Sequence, residues 1–88
     1  MAQPEITARE IRNYCIETYI KPARANGKNQ VTIRVGDVDK GLELLGMYGF
    51  INVSIGSKLF QSESRVREPK IKGPNSGPYA EFTFEILP

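Results

Sequence analysis

Histidine is absent from this 88-residue chain, and its single cysteine, Cys15, has no partner for a disulfide. With neither imidazole nor a cysteine cluster, the usual zinc ligands and the commonest acid/base pairings are missing. The acids Asp37, Asp39 and Glu43 fall close together, but two or three carboxylates on a short helix read as a cap and a solvated face rather than a metal site. Gly36-Asp37-Val38-Asp39-Lys40-Gly41 has neither the Walker spacing nor its Lys-Ser/Thr ending, so it is no phosphate loop. No catalytic, metal or cofactor residue is therefore expected, no small-molecule substrate is inferred, and the chain reads as a non-enzyme.

The side chains that do offer chemistry are cationic. Lys58, Arg65, Arg67, Lys70 and Lys72 face only Glu63 and Glu68 within the same stretch, a local excess of three positive charges. Such a stretch can neutralise phosphates and release counterions. Alternatively, Arg65 and Arg67 pair across a hairpin with Glu81 and Glu85, which cancels the field. Just upstream, Asn52 has the amide suited to bidentate contact with adenine, and Ser54 and Ser57 can bond bases or phosphates. The alternative is that all three decorate a solvated helix. No arginine lies between Arg34 and Arg65 to read guanine. Tyr48 is either a core residue or a contact to a sugar or base, and Asn75 and Ser76 either enter a minor groove or satisfy a turn.

Periodicity supplies the elements that must position these groups. Thr7-Ala8-Arg9-Glu10 has the form of a capping box, with Ile6 and Ile11 at the positions of a hydrophobic staple. Ile11, Cys15, Tyr19 and Ala23 then recur every four residues, joined by Ile16 and Ile20, which leaves Arg9, Glu17 and Arg24 toward water. Pro22 should bend or interrupt this helix, and Gly27 is a natural stop. Val31, Ile33 and Val35 alternate with Thr32 and Arg34 as a half-buried strand ended by Gly36. Asp37 is placed to cap a helix carrying Val38, Leu42 and Leu45 on one face, with Asp39, Lys40 and Glu43 mostly outside it.

Gly46 ends that helix and supplies a turn. Residues 47–57 satisfy two readings: Ile51, Val53 and Ile55 alternate as a strand would, yet a helix gives the more coherent order of elements. In the helical reading Phe50, Ile51, Ser54, Ile55 and Leu59 share a face or its border, and Asn52, Ser57 and Lys58 lie nearer solvent. Beyond the polar Gln61-Ser62-Glu63-Ser64, residues 65–72 form a strand broken at Pro69. A Gly/Pro-rich loop follows, and then a strand with Ala80, Phe82, Phe84 and Ile86 on one side.

Forty per cent hydrophobic and 25% charged residues describe an ordinary globular chain, with eight glycines and six prolines marking much turn. At this length one small core is available, so residues 1–88 read as a single domain. The net charge of +2 and pI of about 8.8 are a mild basic bias. No run approaches the roughly 20 apolar residues that span a bilayer, and Met1-Ala2-Gln3-Pro4-Glu5 lacks the regions of a signal peptide. No membrane association and a cytoplasmic location are the expectation.

The order helix, strand, helix, turn, helix, hairpin resembles the winged helix-turn-helix. The run from Ala8-Arg9-Glu10-Ile11-Arg12 through Tyr19-Ile20-Lys21-Pro22-Ala23-Arg24 to Val31-Thr32-Ile33-Arg34-Val35-Gly36-Asp37-Val38 looks like that of small prokaryotic winged-helix domains. The resemblance implies an α+β fold in which the third helix enters the major groove of double-stranded DNA and the hairpin is the wing. It covers most of the chain and carries no catalytic motif. A regulator or DNA-contacting accessory is the function it implies, with Asn52, Ser54, Ser57, Lys58, Arg65, Arg67, Lys70 and Lys72 as contacts. The competing expectation is a domain of the same architecture that docks a protein partner or a second copy through its apolar third helix. Met47, Tyr48, Phe50, Ile51, Val53 and Ile55 motivate that alternative.

Overall fold

Thr7 caps the first helix as its sequence demands: the hydroxyl accepts from the Glu10 amide at 3.1 Å and donates to the Glu10 carboxylate at 3.3 Å. Ile11 behind it is fully buried and Ile6 packs against the same core, completing the staple. The computed structural model describes residues 5–73 and 77–88, so Asn75 and Ser76 lie outside the described residues.

The helix does not stop at Pro22. It runs as α1 (Ala8–Cys15), a π-helical segment (Ile16–Ile20) and α2 (Lys21–Ala25), with the Lys21 amide donating back to the Ile16 carbonyl. That five-residue spacing shifts the carbonyl ladder just where the proline ring would otherwise clash with the preceding turn, so the chain passes Pro22 without a break. It ends in a Schellman motif: Gly27, at φ +72°, donates to the Arg24 carbonyl, and Lys28 donates to that of Ala23.

β1 (Gln30–Arg34) feeds directly into α3 (Val35–Leu42). The expectation that Gly36 ends the strand and Asp37 caps the helix is corrected here. Arg34 is the N-cap, and the first helical amides, Val35 and Gly36, donate to the Ala80 and Pro78 carbonyls at 3.0 and 2.9 Å. Carbonyls from a distant segment thus replace a side-chain cap. A Cβ on Gly36 would lie 2.9 Å from the Pro78 oxygen, so the approach requires glycine.

α3 stops at Leu42 rather than Gly46. Glu43, Leu45 and Gly46 all adopt positive φ, and this tight turn leads to α4 (Tyr48–Ile55) and then α5 (Lys58–Ser64). The helical reading of residues 47–57 therefore holds, and the strand reading does not. The helix is interrupted, however, at Gly56-Ser57.

β2 (Lys70–Lys72) and β3 (Glu81–Glu85) complete an antiparallel sheet in the order β1-β3-β2. The strand expected over residues 65–72 survives only as β2 and an isolated bridge from Val66 to Ile86, because Pro69 interrupts the ladder. The described residues thus form a mixed α+β fold of four helices, counting the first as one, and a three-stranded sheet that is not closed into a barrel. Ile33, Phe82 and Phe84 line the inner face and meet Ile11, Ile51, Ile55 and Phe60 from the helices in one core. Arg24, expected to stay wet, is half-buried and donates to the Ser64 and Arg65 carbonyls at 2.9 and 3.1 Å. It binds the end of α2 to the end of α5, where a cation complements the helix terminus.

Candidate nucleic-acid interface

Asp39 determines where α4 begins. Its carboxylate accepts from the Gly46 amide at 3.0 Å and from the Met47 amide at 2.8 Å. Those donors lead into the N-terminus of α4, where a negative charge is favourable. Expected on a solvated face, Asp39 is instead buried. With its first turn held in this way, α4 lies against α1 and α3 and buries Ile51 and Ile55, one turn apart.

The polar groups of α4 turn inward as well. Asn52 is buried, and its amide donates to the Tyr48 carbonyl at 2.8 Å, one turn back. Ser54 is buried and donates to the Phe50 carbonyl at 2.8 Å. The expectation of Asn52 nearer solvent is therefore corrected, and the reason is local: an amide or hydroxyl that reaches the carbonyl four residues earlier is satisfied inside the domain. What α4 shows to solvent is Gly49 and Val53.

Ser57 is half-buried and structural. It accepts from the Phe60 amide at 3.2 Å, donates to the Ser54 carbonyl at 2.9 Å, and so caps α5 while closing α4. Lys58 follows it, exposed, at the first position of α5. Arg65 ends the helix at φ +57° and donates to the Pro88 carbonyl at 2.6 Å. Lys58 and Arg65 line one open cleft of about 740 Å³ with Gln61 and Ser62, and Glu68 stands among its walls. Gln61 and Ser62 were not among the residues expected to make contacts. The signal was present: once Ser57 is read as a cap, positions 58, 61, 62 and 65 fall on one side of the helix it opens.

Lys70 and Lys72 lie on a different surface. They register with Thr83 and Glu81, which register in turn with Thr32 and Arg34, so strand alternation puts both lysines on the outer face of the sheet. Arg67 pairs with Glu85 at 3.4 Å, as the charge-cancelling reading proposed. Glu81 pairs with Arg34 at 2.9 Å rather than with Arg65, and that contact raises the guanidinium's pKa. Lys58, Arg65, Lys70 and Lys72 have no side-chain carboxylate within ion-pair distance among the described residues, although Arg65 is held by the Pro88 oxygen. The eight expected contacts are thus divided between the interior, the α5 cleft and the outer sheet face.

On the inner side of β2, Ile71 and Val53 flank a shallow groove of about 250 Å³, with Gly56 and Phe82 in its lining. Val53 is 72% exposed and Ile71 50%. Elsewhere, burial pushes the Cys15 thiol up to about 12, as expected of a small hydrophobe without a reactive thiolate. Burial, with Tyr14, Asp37 and Cys15 nearby, raises the Tyr19 phenol to about 12. Among the described residues no helix is long and apolar enough to cross a membrane, and no cluster of acids and cysteine could hold a metal ion. Comparison of the chain with protein-family models, curated proteins and solved structures gives no match.

Proposed function

We propose that this chain is a winged-helix module that binds double-stranded DNA chiefly through its phosphate backbone. The observation that carries the reading is the order of elements around the sheet. A helix precedes β1, the helices α3, α4 and α5 follow, and the β2–β3 hairpin returns so that β3 lies between β1 and β2. In a winged helix the hairpin is the wing and the helix pair the helix-turn-helix.

The four cations without side-chain carboxylate partners support backbone contact. Each phosphate neutralised by Lys58, Arg65, Lys70 or Lys72 releases condensed counterions, so binding should weaken steeply with salt. Asn52 and Ser54 donate to carbonyls of their own helix, and of the two only Asn52 reaches the surface, in the lining of the groove between α4 and β2. Affinity dominated by backbone contacts, with Kd of roughly 10⁻⁴–10⁻⁶ M on an arbitrary duplex at physiological salt, is the expected behaviour of such a surface. Fluorescence anisotropy of a labelled duplex at low and physiological salt tests this. Tight association at low salt that falls with added salt is expected, and absence of binding at low salt would contradict it.

A second reading is favoured by one observation. Val53 and Ile71 face solvent across an apolar groove beside the hairpin, as a protein-docking or self-associating surface would require. Sedimentation separates the two: a dimer that does not bind DNA supports the docking role, and a monomer that binds DNA supports the first reading.

A further inference from the structure

We infer that α5, rather than α4, is the segment that meets base edges, with Gln61 as its reading side chain and Lys58 as its phosphate anchor. The inference rests on the DNA-binding reading and names the part of the surface that would give it sequence preference. Two adjacent helices differ in what they leave free. α4 shows solvent a glycine and a valine, and its amide and hydroxyl are bonded to its own carbonyls. α5 buries Phe60 and Ser64 and turns Lys58, Gln61, Ser62 and Arg65 toward the cleft.

At the helical pitch Lys58, Gln61 and Ser62 fall within an arc of about 100° that runs from the border of the buried pair round to solvent, and Arg65, the left-handed residue that ends the helix, lines the same cleft. The arc contains hydrogen-bond donors and no carboxylate. No side-chain bond to protein ties Lys58, Gln61 or Ser62 among the described residues, whereas Arg65 makes one, to Pro88. The segment is about 10 Å long, short enough to lie across a major groove about 12 Å wide. Gln61 has the donor and acceptor that pair with adenine N6 and N7. Glu68 also lines the cleft and opposes a polyanion at that end, so Lys58 and Gln61 are the side chains there that favour DNA. The charge complementarity of the arc with Arg65 is to duplex DNA, since two cations and two neutral donors meet an acceptor-rich groove.

Two measurements test it. The ¹⁵N-labelled chain is titrated with a mixed-sequence duplex at low salt, and duplexes are enriched from a random-sequence pool by the wild type and by Gln61→Ala. The expected result is movement of the Gln61 side-chain amide and of the backbone amides of residues 58–65. The wild-type pool should carry a preferred adenine, and Gln61→Ala should erase it with a loss of roughly tenfold on the enriched duplex and an unchanged melting temperature. Shifts confined to the outer sheet face, or a pool without any preference, overturn this inference and leave backbone binding standing. A spectrum unmoved by DNA overturns both.

Discussion

α4 and α5 are nearly the same length, are separated by only Gly56 and Ser57, and have opposite tasks. α4 sits in the core, its start is held by Asp39, and its polar side chains serve its own backbone. α5 touches the core with Phe60 and Ser64 and leaves a donor-rich side in solvent. Of the two helices, only α5 leaves such side chains without partners among the described residues of the domain, at Lys58, Gln61 and Ser62.

Substitutions on the two helices should separate support from contact. Ile55→Ala, at a fully buried position of α4, should destabilise the domain most, by about 2–5 kcal/mol in chemical denaturation. Gln61→Ala and Ser62→Ala on α5 should each stay within about 0.5 kcal/mol of wild type. If those α5 changes were as damaging as Ile55→Ala, the contrast between the helices would be lost.

Asp39→Ala is expected next. It strands two amides that now share a buried carboxylate, and a loss of about 1.5–3 kcal/mol should appear in the same denaturation curves. Ser57→Ala should cost about 1 kcal/mol, since it removes the cap that separates the helices. Its amide spectrum should show α5 fraying at its first turn while α4 stays protected.

A further effect on the supporting side depends on pH. The folded chain holds the Cys15 proton up to about pH 12, against an ordinary value of 9.0, and the Tyr19 proton to about 12 against 10.0. Both shifts are upward, so their stabilisation is complete below about pH 9 and is lost as pH rises toward 12. Thermal melts should therefore fall along an alkaline limb that Cys15→Ala makes shallower.

The sequence carried the scaffold further than the surface. The Thr7 capping box, the alternation of β1 and β3, and the stop at Gly27 are local devices, and they are found where their residue types put them. The ambiguity over residues 47–57 arose because Ile51 and Ile55 satisfy both a two-residue and a four-residue repeat. Val53, exposed between them, is what distinguishes helix from strand. Gly36 misled because the carbonyls that start α3 come from Pro78 and Ala80, more than forty residues away in the chain. Asp39 and Arg24 looked like solvated charges because their partners are backbone groups across a turn or on another helix. Asn52 and Ser54 look the same in sequence whether their polar ends face a groove or their own helix. Ser57 looked like a nucleic-acid contact rather than a cap, and that hid the face of α5 that spacing aligns, at Lys58, Gln61 and Ser62.

The most direct test of the account is the salt dependence of duplex binding by wild type and by the double variant Lys58→Ala/Arg65→Ala. Plotted as logarithm of affinity against logarithm of salt, the wild-type line should slope downward, and the variant's slope should be shallower by up to about 0.9 for each phosphate contact removed. A wild type that ignores salt, or a double variant whose line coincides with it, would contradict the claim that these α5 cations meet DNA.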